Sequence, residues 1–156
     1  MGQDADFTEF YATHWPRLVA ALAHAVPEGA DPRDAAQEAF ARAFAHWSSV
    51  SRHDRPDAWL FLTGFRIATR LRRKEATRDA EPGGQPLQEL GSVEVKLALS
   101  QLSERQRAAL LLRAVYGLST KETARALHCR EGTVKSLLAR GRAALADSLI
   151  EEDPTK

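Results

Sequence analysis

Residues 119–140 read STKETARALHCREGTVKSLLAR, and they predict two helices joined by a tight turn. Ser119 and Glu122 have the spacing of a capping box and open the first helix, which extends to Leu127. The turn HCR follows, and a longer helix continues to about Leu149. A short helix, a turn of three or four residues and a longer helix form a helix-turn-helix, a motif whose second helix enters the major groove of DNA.

The first turns of the longer helix carry side chains that suit DNA. Arg can donate two hydrogen bonds to guanine, Glu can accept one from cytosine, and Ser, Thr and Lys suit phosphates or base edges. Ala124, Leu127, Val134 and Leu138 are spaced to lock the two helices together. A plain helical hairpin with a polar face is the alternative interpretation. The candidate DNA-binding residues are Arg130, Glu131, Thr133, Lys135, Ser136 and Arg140.

Upstream of this motif, the sequence predicts two further helices and a linker. Residues 93–102 form a short helix, and residues 103–106 have capping-box spacing that starts the next one. Residues 116–117, Tyr-Gly, are the stop signal, because Gly accepts the left-handed conformation that terminates helices. Residues 75–92, EATRDAEPGGQPLQELGS, contain helix-breaking Pro and Gly and have little to bury, so we interpret them as a flexible linker.

The first 74 residues predict three helices. An aromatic stripe with three-and-four spacing marks the first, and Asp31-Pro32 opens the second, since Asp caps free amides and Pro fits the first helical turn. Pro56 starts the third, on which Arg66, Arg70 and Arg73 share a face. The buried face of the second helix is predicted to contain Ala36, Phe40, Ala43, Phe44 and Trp47.

Apolar residues recur with helical spacing almost everywhere, and no segment alternates as a half-buried strand does. The fold class is therefore predicted to be all-α, with two small helical domains joined by a flexible linker.

The net charge of +1 over 156 residues conceals an uneven distribution. Residues 1–50 have three basic and seven acidic side chains, whereas residues 51–79 have eight basic and four acidic. Residues 80–102 have one basic and three acidic, and residues 103–149 have nine basic and four acidic. Two basic blocks separated by an acidic spacer are typical of nucleic-acid binding, and solvated helix faces are the alternative.

The sequence lacks the motifs that several functional classes of protein require. There is no phosphate-binding Gly-rich loop, nucleophile elbow or His-Glu-x-x-His pair, so neither catalytic residues nor enzyme activity are expected. Five scattered His and a single Cys, Cys129, predict no metal site, no cofactor and no internal disulfide. No stretch approaches the roughly 20 apolar residues that span a bilayer, and the acidic start is no secretory signal. A cytoplasmic protein without membrane insertion is expected.

Motifs in the first half resemble region 2 of the bacterial sigma-70 family, specifically of its small extracytoplasmic-function (group IV) members. Residues 10–18, FYATHWPRL, look like the start of that region. Residues 34–40, DAAQEAF, match its Asp-x-x-Gln-Glu-x-Phe motif. Residues 55–61, RPDAWLF, followed by residues 70–74, RLRRK, are similar to the segment that melts and reads the −10 promoter element.

Motifs in the second half resemble region 4 of the same family, which reads the −35 element. They are LSERQR at residues 102–107 and GTVKS at residues 132–136. The resemblance covers nearly the whole chain and implies region 2 in residues 1–74, a connector in 75–92 and region 4 in 93–156. It implies a helical bundle for region 2 and a helix-turn-helix for region 4.

The resemblance also implies partners and sites. A sigma factor binds core RNA polymerase, at its clamp helices and flap, and directs it to promoter DNA, and an anti-sigma factor is a further expected partner. The residues implied to bind core polymerase are Asp34, Gln37, Glu38 and Phe40. Those implied to bind −10 DNA are Trp59, Arg66, Arg70, Arg73 and Lys74.

Two departures from the family pattern leave alternatives open. Residues 64–70, GFRIATR, lack the Asn that the family usually carries in its −10 segment, and residues 135–138 read KSLL where the family has Lys-Ser-Arg-Leu. One alternative is therefore a sigma-like adaptor that binds an anti-sigma factor or polymerase without reading promoters. Another is a helix-turn-helix repressor that uses residues 103–149 alone, which leaves the motif at 34–40 unexplained.

Overall fold

The computed structural model describes residues 2–25, 30–76 and 93–151, and every regular element within these ranges is a helix. This confirms the all-α prediction. The chain divides into two compact units, residues 1–90 and 91–156, which are described separately.

The first unit contains α1 (Gly2–Ala25), α2 (Pro32–Ala45), the short α3 (Trp47–Val50) and α4 (Pro56–Ala76). Helices α1, α2 and α4 pack against one another in all three pairings. Their shared core is built from fully buried apolar side chains, among them Leu18, Leu22, Phe40, Leu60 and Phe61. The sequence pattern predicted the three long helices and missed the four-residue α3.

Helix α2 begins as predicted. The Asp31 carboxylate accepts a hydrogen bond from the backbone N–H of Arg33 at 2.9 Å, and Pro32 occupies the first helical position. Asp therefore satisfies one of the amides that a helix start leaves unpaired, and Pro costs nothing where no intrahelical N–H bond is made.

The predicted buried face of α2 is wrong at its end. Ala36 and Phe40 are buried, but Phe44 is 56 % exposed and Trp47, already in α3, is only half-buried. Each four-residue step turns the side chain by about 40° beyond a full turn, so Phe44 lies roughly 80° from Ala36 around the helix axis. Phe44 instead contacts Phe7 of α1, with ring centroids 4.9 Å apart, at the rim of the core.

The second unit contains α5 (Val93–Ser100), α6 (Glu104–Ala114), α7 (Thr120–Ala126) and α8 (Glu131–Glu151). Helix α8 packs against each of the other three. The core cluster consists of Leu99, Leu102, Ala109, Leu110, Ala124, Val134 and Leu138.

Both predicted capping boxes are confirmed. The Ser119 hydroxyl accepts from the N–H of Glu122 at 3.0 Å, and the Glu122 carboxylate accepts from the N–H of Ser119 at 3.0 Å. Ser103 and Gln106 form the same reciprocal pair at the start of α6. The stop after α6 is also as predicted, since Gly117 has φ 65° in the left-handed region that glycine favours.

We predict that Gly64→Val destabilises the first unit by about 1–3 kcal/mol, the usual cost of overpacking a core. A Cβ at Gly64 would lie 3.0 Å from Leu22 Cδ1 and 3.6 Å from Ala39 Cβ, so the added side chain meets two neighbouring helices at once. Gly132→Val is the matched control, because a Cβ there meets nothing within 4 Å. Urea unfolding followed by circular dichroism measures both. Equal midpoints for the two variants would contradict the packing.

Candidate functional site

The start of α8 presents a polar face above a buried seam. The side chains of Val134 and Leu138 are buried and pack in one cluster with Ala124 of α7. Leu137, which lies between them, is half-buried against the same cluster, and the remaining positions of the first turns point outward. All six candidate DNA-binding side chains are exposed: Arg130, Glu131, Thr133, Lys135, Ser136 and Arg140.

The turn before α8 fixes where this face begins. The backbone N–H of Cys129 donates to the Ala124 carbonyl at 3.0 Å, and His128 adopts a left-handed φ of 53°. The chain thereby changes direction within three residues and starts α8 at Glu131. Short helix, tight turn and long helix form the helix-turn-helix that the sequence predicted.

The cations of this face are available to an external anion. Among the residues that the structure describes, Arg130, Lys135 and Arg140 make no ion pair, and all three are exposed. A duplex backbone would meet positive charge here without first having to break an internal pair.

A second polar surface lies on α2 in the first unit. Asp34, Gln37 and Glu38 are exposed, and Glu38 accepts a hydrogen bond from Arg42 at 2.8 Å in an exposed i,i+4 ion pair. Phe40 lies differently from the other three predicted residues: its side chain is 2 % exposed and packs edge-on against Phe10. Phe40 therefore supports this surface from beneath and does not form part of it.

Phe44 is a surface residue that the sequence interpretation missed. It lies seven residues after Gln37, so the two side chains leave α2 within about 20° of each other around the axis. Phe44 thus adds an exposed aromatic ring beside the polar residues. The seven-residue spacing from the polar Gln37 indicates that Phe44 is exposed. The aromatic pattern of this segment favours burial instead, and it led to the wrong prediction.

A third surface follows α4. Trp59 is half-buried and Arg66 and Arg70 are exposed, at spacings that place them in one stripe along the helix. Thr63, between them, donates its hydroxyl to the Trp59 carbonyl at 2.8 Å. Arg73 and Lys74 belong to the same helix, but their side chains lie outside the described part of the chain.

The start of α4 is held by a charged cluster. Asp57, whose side chain is 13 % exposed, accepts two hydrogen bonds from the Arg55 guanidinium, at 3.1 and 3.0 Å, and lies 3.9 Å from Arg17 of α1. Burial by itself would raise the pKa of Asp57, but the hydrogen bonds and charge of Arg55 and the backbone N–H of Ala58 outweigh it, so the pKa is lowered.

The neighbouring His14 titrates in the same environment. Burial lowers the pKa of His14, the Asp57 carboxylate raises it and the Arg17 charge lowers it again, and the net shift is downward. The neutral imidazole is therefore favoured at this junction of α1 and α4.

No group of three or more His, Cys, Asp or Glu side chains that could hold a metal ion occurs within residues 2–25, 30–76 and 93–151. Cys129 is a free, half-buried thiol. No helix in the same ranges has the length and hydropathy needed to cross a membrane.

Two family models match the chain. The model described as Sigma-70 region 2 matches residues 10–78, and the model described as Sigma-70, region 4 matches residues 92–145. Each match lies within one of the two units described above.

Relatives match along nearly the full length. The RNA polymerase sigma-E factor of Streptomyces coelicolor is 30 % identical over 98 % of this chain and 91 % of its own length. The ECF RNA polymerase sigma factor SigM of Mycobacterium tuberculosis is 34 % identical over 90 % of this chain and 75 % of its own.

Solved structures resemble the fold. The sigma factor RpoE of Bartonella quintana, in complex with the anti-sigma factor NepR, aligns with a TM-score of 0.76 and 25 % identity over 95 % of this chain and 99 % of its own. CnrH in complex with the cytosolic domain of CnrY aligns with a TM-score of 0.66 and 27 % identity, over 96 % of this chain and 91 % of its own.

We predict that Asp57→Asn destabilises the first unit at neutral pH by roughly 2 kcal/mol, because it removes a charged hydrogen-bonding partner of Arg55. A carboxyl whose folded pKa is lowered stabilises the fold above its unfolded pKa, and this contribution is lost as pH falls through the folded pKa. The difference between the variant and the unaltered chain should therefore shrink below about pH 4.

Urea midpoints measured from neutral to acidic pH check this expectation. Asp54→Asn is the control, since Asp54 is exposed and makes no ion pair among the described residues. A loss of stability that is the same at every pH would contradict the role given to the Asp57 charge.

Proposed function

The chain belongs to the extracytoplasmic-function group of the sigma-70 family, and on that basis we propose which of its surfaces perform each part of its work. As a sigma factor it directs RNA polymerase to promoters for transcription initiation. The observation that carries the assignment of surfaces is the exposed polar face of α8, held above the buried seam with α7. That face is the DNA-reading element of a helix-turn-helix.

We propose that residues 1–74 form region 2, residues 75–92 a flexible connector and residues 93–156 region 4. The division of the chain between residues 90 and 91 supports two units. The predicted connector lies almost entirely outside the described residues, so its proposed flexibility rests on its Pro and Gly content.

We propose that core polymerase binds the exposed face of α2 through the clamp helices of the polymerase. Asp34, Gln37 and Glu38 supply charge and hydrogen bonds, and Phe44 supplies an apolar anchor among them. Interfaces commonly concentrate their binding energy in such an aromatic side chain surrounded by polar groups. Phe40 contributes by fixing α2 on the core.

Promoter DNA is proposed to contact both units. The stripe of α4 with Trp59, Arg66 and Arg70, continued by Arg73 and Lys74, would hold the −10 element. The aromatic ring can stack on an unpaired base, and the Arg side chains can neutralise phosphates. The −35 element would be read by the face of α8, where Arg and Glu suit guanine and cytosine edges.

An anti-sigma factor is a further proposed partner. The solved structure of RpoE with NepR, which aligns over most of this chain, contains such a complex, and CnrH, which also aligns over most of it, is bound to the cytosolic domain of CnrY. We also propose a cytoplasmic location, since promoter-directed initiation takes place where the polymerase and DNA are. We further propose that the chain has no catalytic activity of its own. The adaptor alternative is not favoured, because the relatives matched over most of their length are named sigma factors.

Run-off transcription with purified core polymerase and genomic fragments tests the function. The full chain should produce transcripts from defined start points that core polymerase alone does not produce. Binding to polymerase without any specific transcript would favour the adaptor instead.

We predict that Phe44→Ser weakens binding to core polymerase about tenfold, as expected for loss of an apolar anchor. Phe44→Leu is the matched variant, because it keeps an apolar side chain and should retain most of the affinity. Fluorescence titration of labelled full chain with core polymerase measures both, and melting temperatures confirm that this exposed position leaves the fold intact. Equal affinities for the two variants would remove Phe44 from the interface.

We predict that the double reversal Lys135→Glu with Arg140→Glu abolishes preference for a −35 duplex and leaves polymerase affinity nearly unchanged. The reversed charges repel phosphates and remove donors to base edges. Lys96→Glu with Arg105→Glu is the charge-matched control, since both side chains are exposed in the same unit but lie on α5 and α6. If both double variants weaken duplex binding equally, α8 is not the reading helix.

A further inference from the structure

Helix α8 contains two glycines on opposite sides. Gly132 is its second residue and Gly141 follows nine residues later, so the two positions lie about 180° apart around the helix axis. Neither has a positive φ, since Gly117 is the only described glycine in the left-handed region. The conformation of the backbone therefore does not explain why glycine occupies either position.

Packing within the chain explains Gly141. A Cβ there would lie 3.0 Å from Leu110 Cδ1 and 3.8 Å from Gln106 Cβ, so glycine lets α6 approach the backbone of α8 closely. Gly141 is accordingly buried. On this side of α8, the missing side chain leaves room for another helix of the same unit.

No contact within the described chain explains Gly132. It is exposed, and a Cβ there would meet no atom within 4 Å. Glycine inside a helix is less favourable than alanine, because its backbone loses more conformational freedom on folding. The unit is therefore less stable than it would be with alanine, and no described contact offsets this. Such a glycine indicates that something from outside the chain approaches the backbone closely.

The surroundings of Gly132 indicate what approaches. It lies about 160° from the buried Val134, on the side of α8 that faces away from the core. Lys135 and Ser136, both exposed, leave the helix on either side of it, within about 60°. Lys135 makes no ion pair with another described residue. The outermost point of α8 is thus bare backbone next to an unneutralised cation, which suits an anionic duplex.

We propose that the missing side chain of Gly132 lets the backbone of α8 reach the floor of the major groove, so that Gly132 determines how deeply the helix enters the −35 element. The inference rests on the proposed −35 function. Contacts to base edges hold only over hydrogen-bond distances, so a side chain that keeps α8 off the groove floor weakens them. Contacts that long, flexible side chains make to phosphates tolerate the displacement better, and they carry no sequence information.

Substitutions of graded size at Gly132 test this proposal. The full chain with core polymerase is titrated with a promoter fragment found by the run-off assay, and with the same fragment carrying a scrambled −35 element. Gly132→Ala should lower the ratio of the two affinities, and Gly132→Val should lower it further, by about tenfold, comparable to the loss of one base contact.

Thermal unfolding separates a DNA contact from a structural role. Gly132→Ala should keep or raise the melting temperature, since alanine is the better helix former and its Cβ has room. A variant that is at least as stable and yet discriminates −35 DNA less well does not owe this loss to a weakened fold. A lowered melting temperature for Gly132→Ala, or an unchanged affinity ratio for Gly132→Val, would overturn the proposal.

Gly141→Val is the matched control, because it makes the same substitution on the opposite side of the same helix. It should lower the melting temperature, since the added side chain meets Leu110. At a temperature at which circular dichroism shows this variant to be folded, its affinity ratio should match that of the unaltered chain. An equal fall in the ratio for Gly132→Val and Gly141→Val would also contradict the role given to Gly132.

Failure of this inference can be told apart from failure of the proposed function. If Lys135→Glu with Arg140→Glu abolishes −35 preference while the Gly132 variants keep it, only the role of Gly132 is overturned. If the double reversal has no effect either, the −35 function and the inference fail together.

Discussion

One-sided burial of α2 and α8 is the constraint on which the proposed binding surfaces depend. Helix α6 buries six consecutive residues, 107–112, and so is covered on every side, whereas α2 and α8 each bury one stripe and leave their other faces outside. Val134 and Leu138 form such a stripe on α8, and Phe40 with the neighbouring alanines forms one on α2. The surfaces proposed for polymerase and DNA are the faces that these stripes leave exposed.

Local signals in the sequence were sufficient to locate most helices and the helix-turn-helix. The Asp31 cap and the two capping boxes act within three residues, so their geometry follows from sequence alone. The exposed residues of α8 could be predicted for the same reason, since the 3.6-residue period fixes which positions oppose Val134. No local signal predicted α3, because its four residues are too few to establish a helical period.

What could not be predicted depends on contacts between distant segments. Whether Phe44 is buried is decided by where Phe7 of α1 reaches the end of α2, and no local pattern contains that information. The pairing of Asp57 with Arg17, forty residues earlier, is equally invisible along the chain. A concavity beside the turn, lined by Lys121, Arg125 and Arg130 among others, was missed for a related reason: Lys121 and Arg125 precede the turn, and only the change of direction there brings them beside Arg130.

The left-handed conformation of His128 limits which changes of sequence the helix-turn-helix can accept during evolution. A residue other than glycine in this conformation costs roughly 1–2 kcal/mol, so the turn is kept at its length by the packing of the helices on either side. Adding or deleting one residue within the first turn of α8 would rotate the rest of that helix by about 100° and move Val134 off the buried face. The turn therefore fixes the rotation of α8 about its axis relative to α7. New promoter preferences can therefore arise by replacing exposed side chains on α8, whereas a change of length at the start of that helix would disturb the packing of Val134.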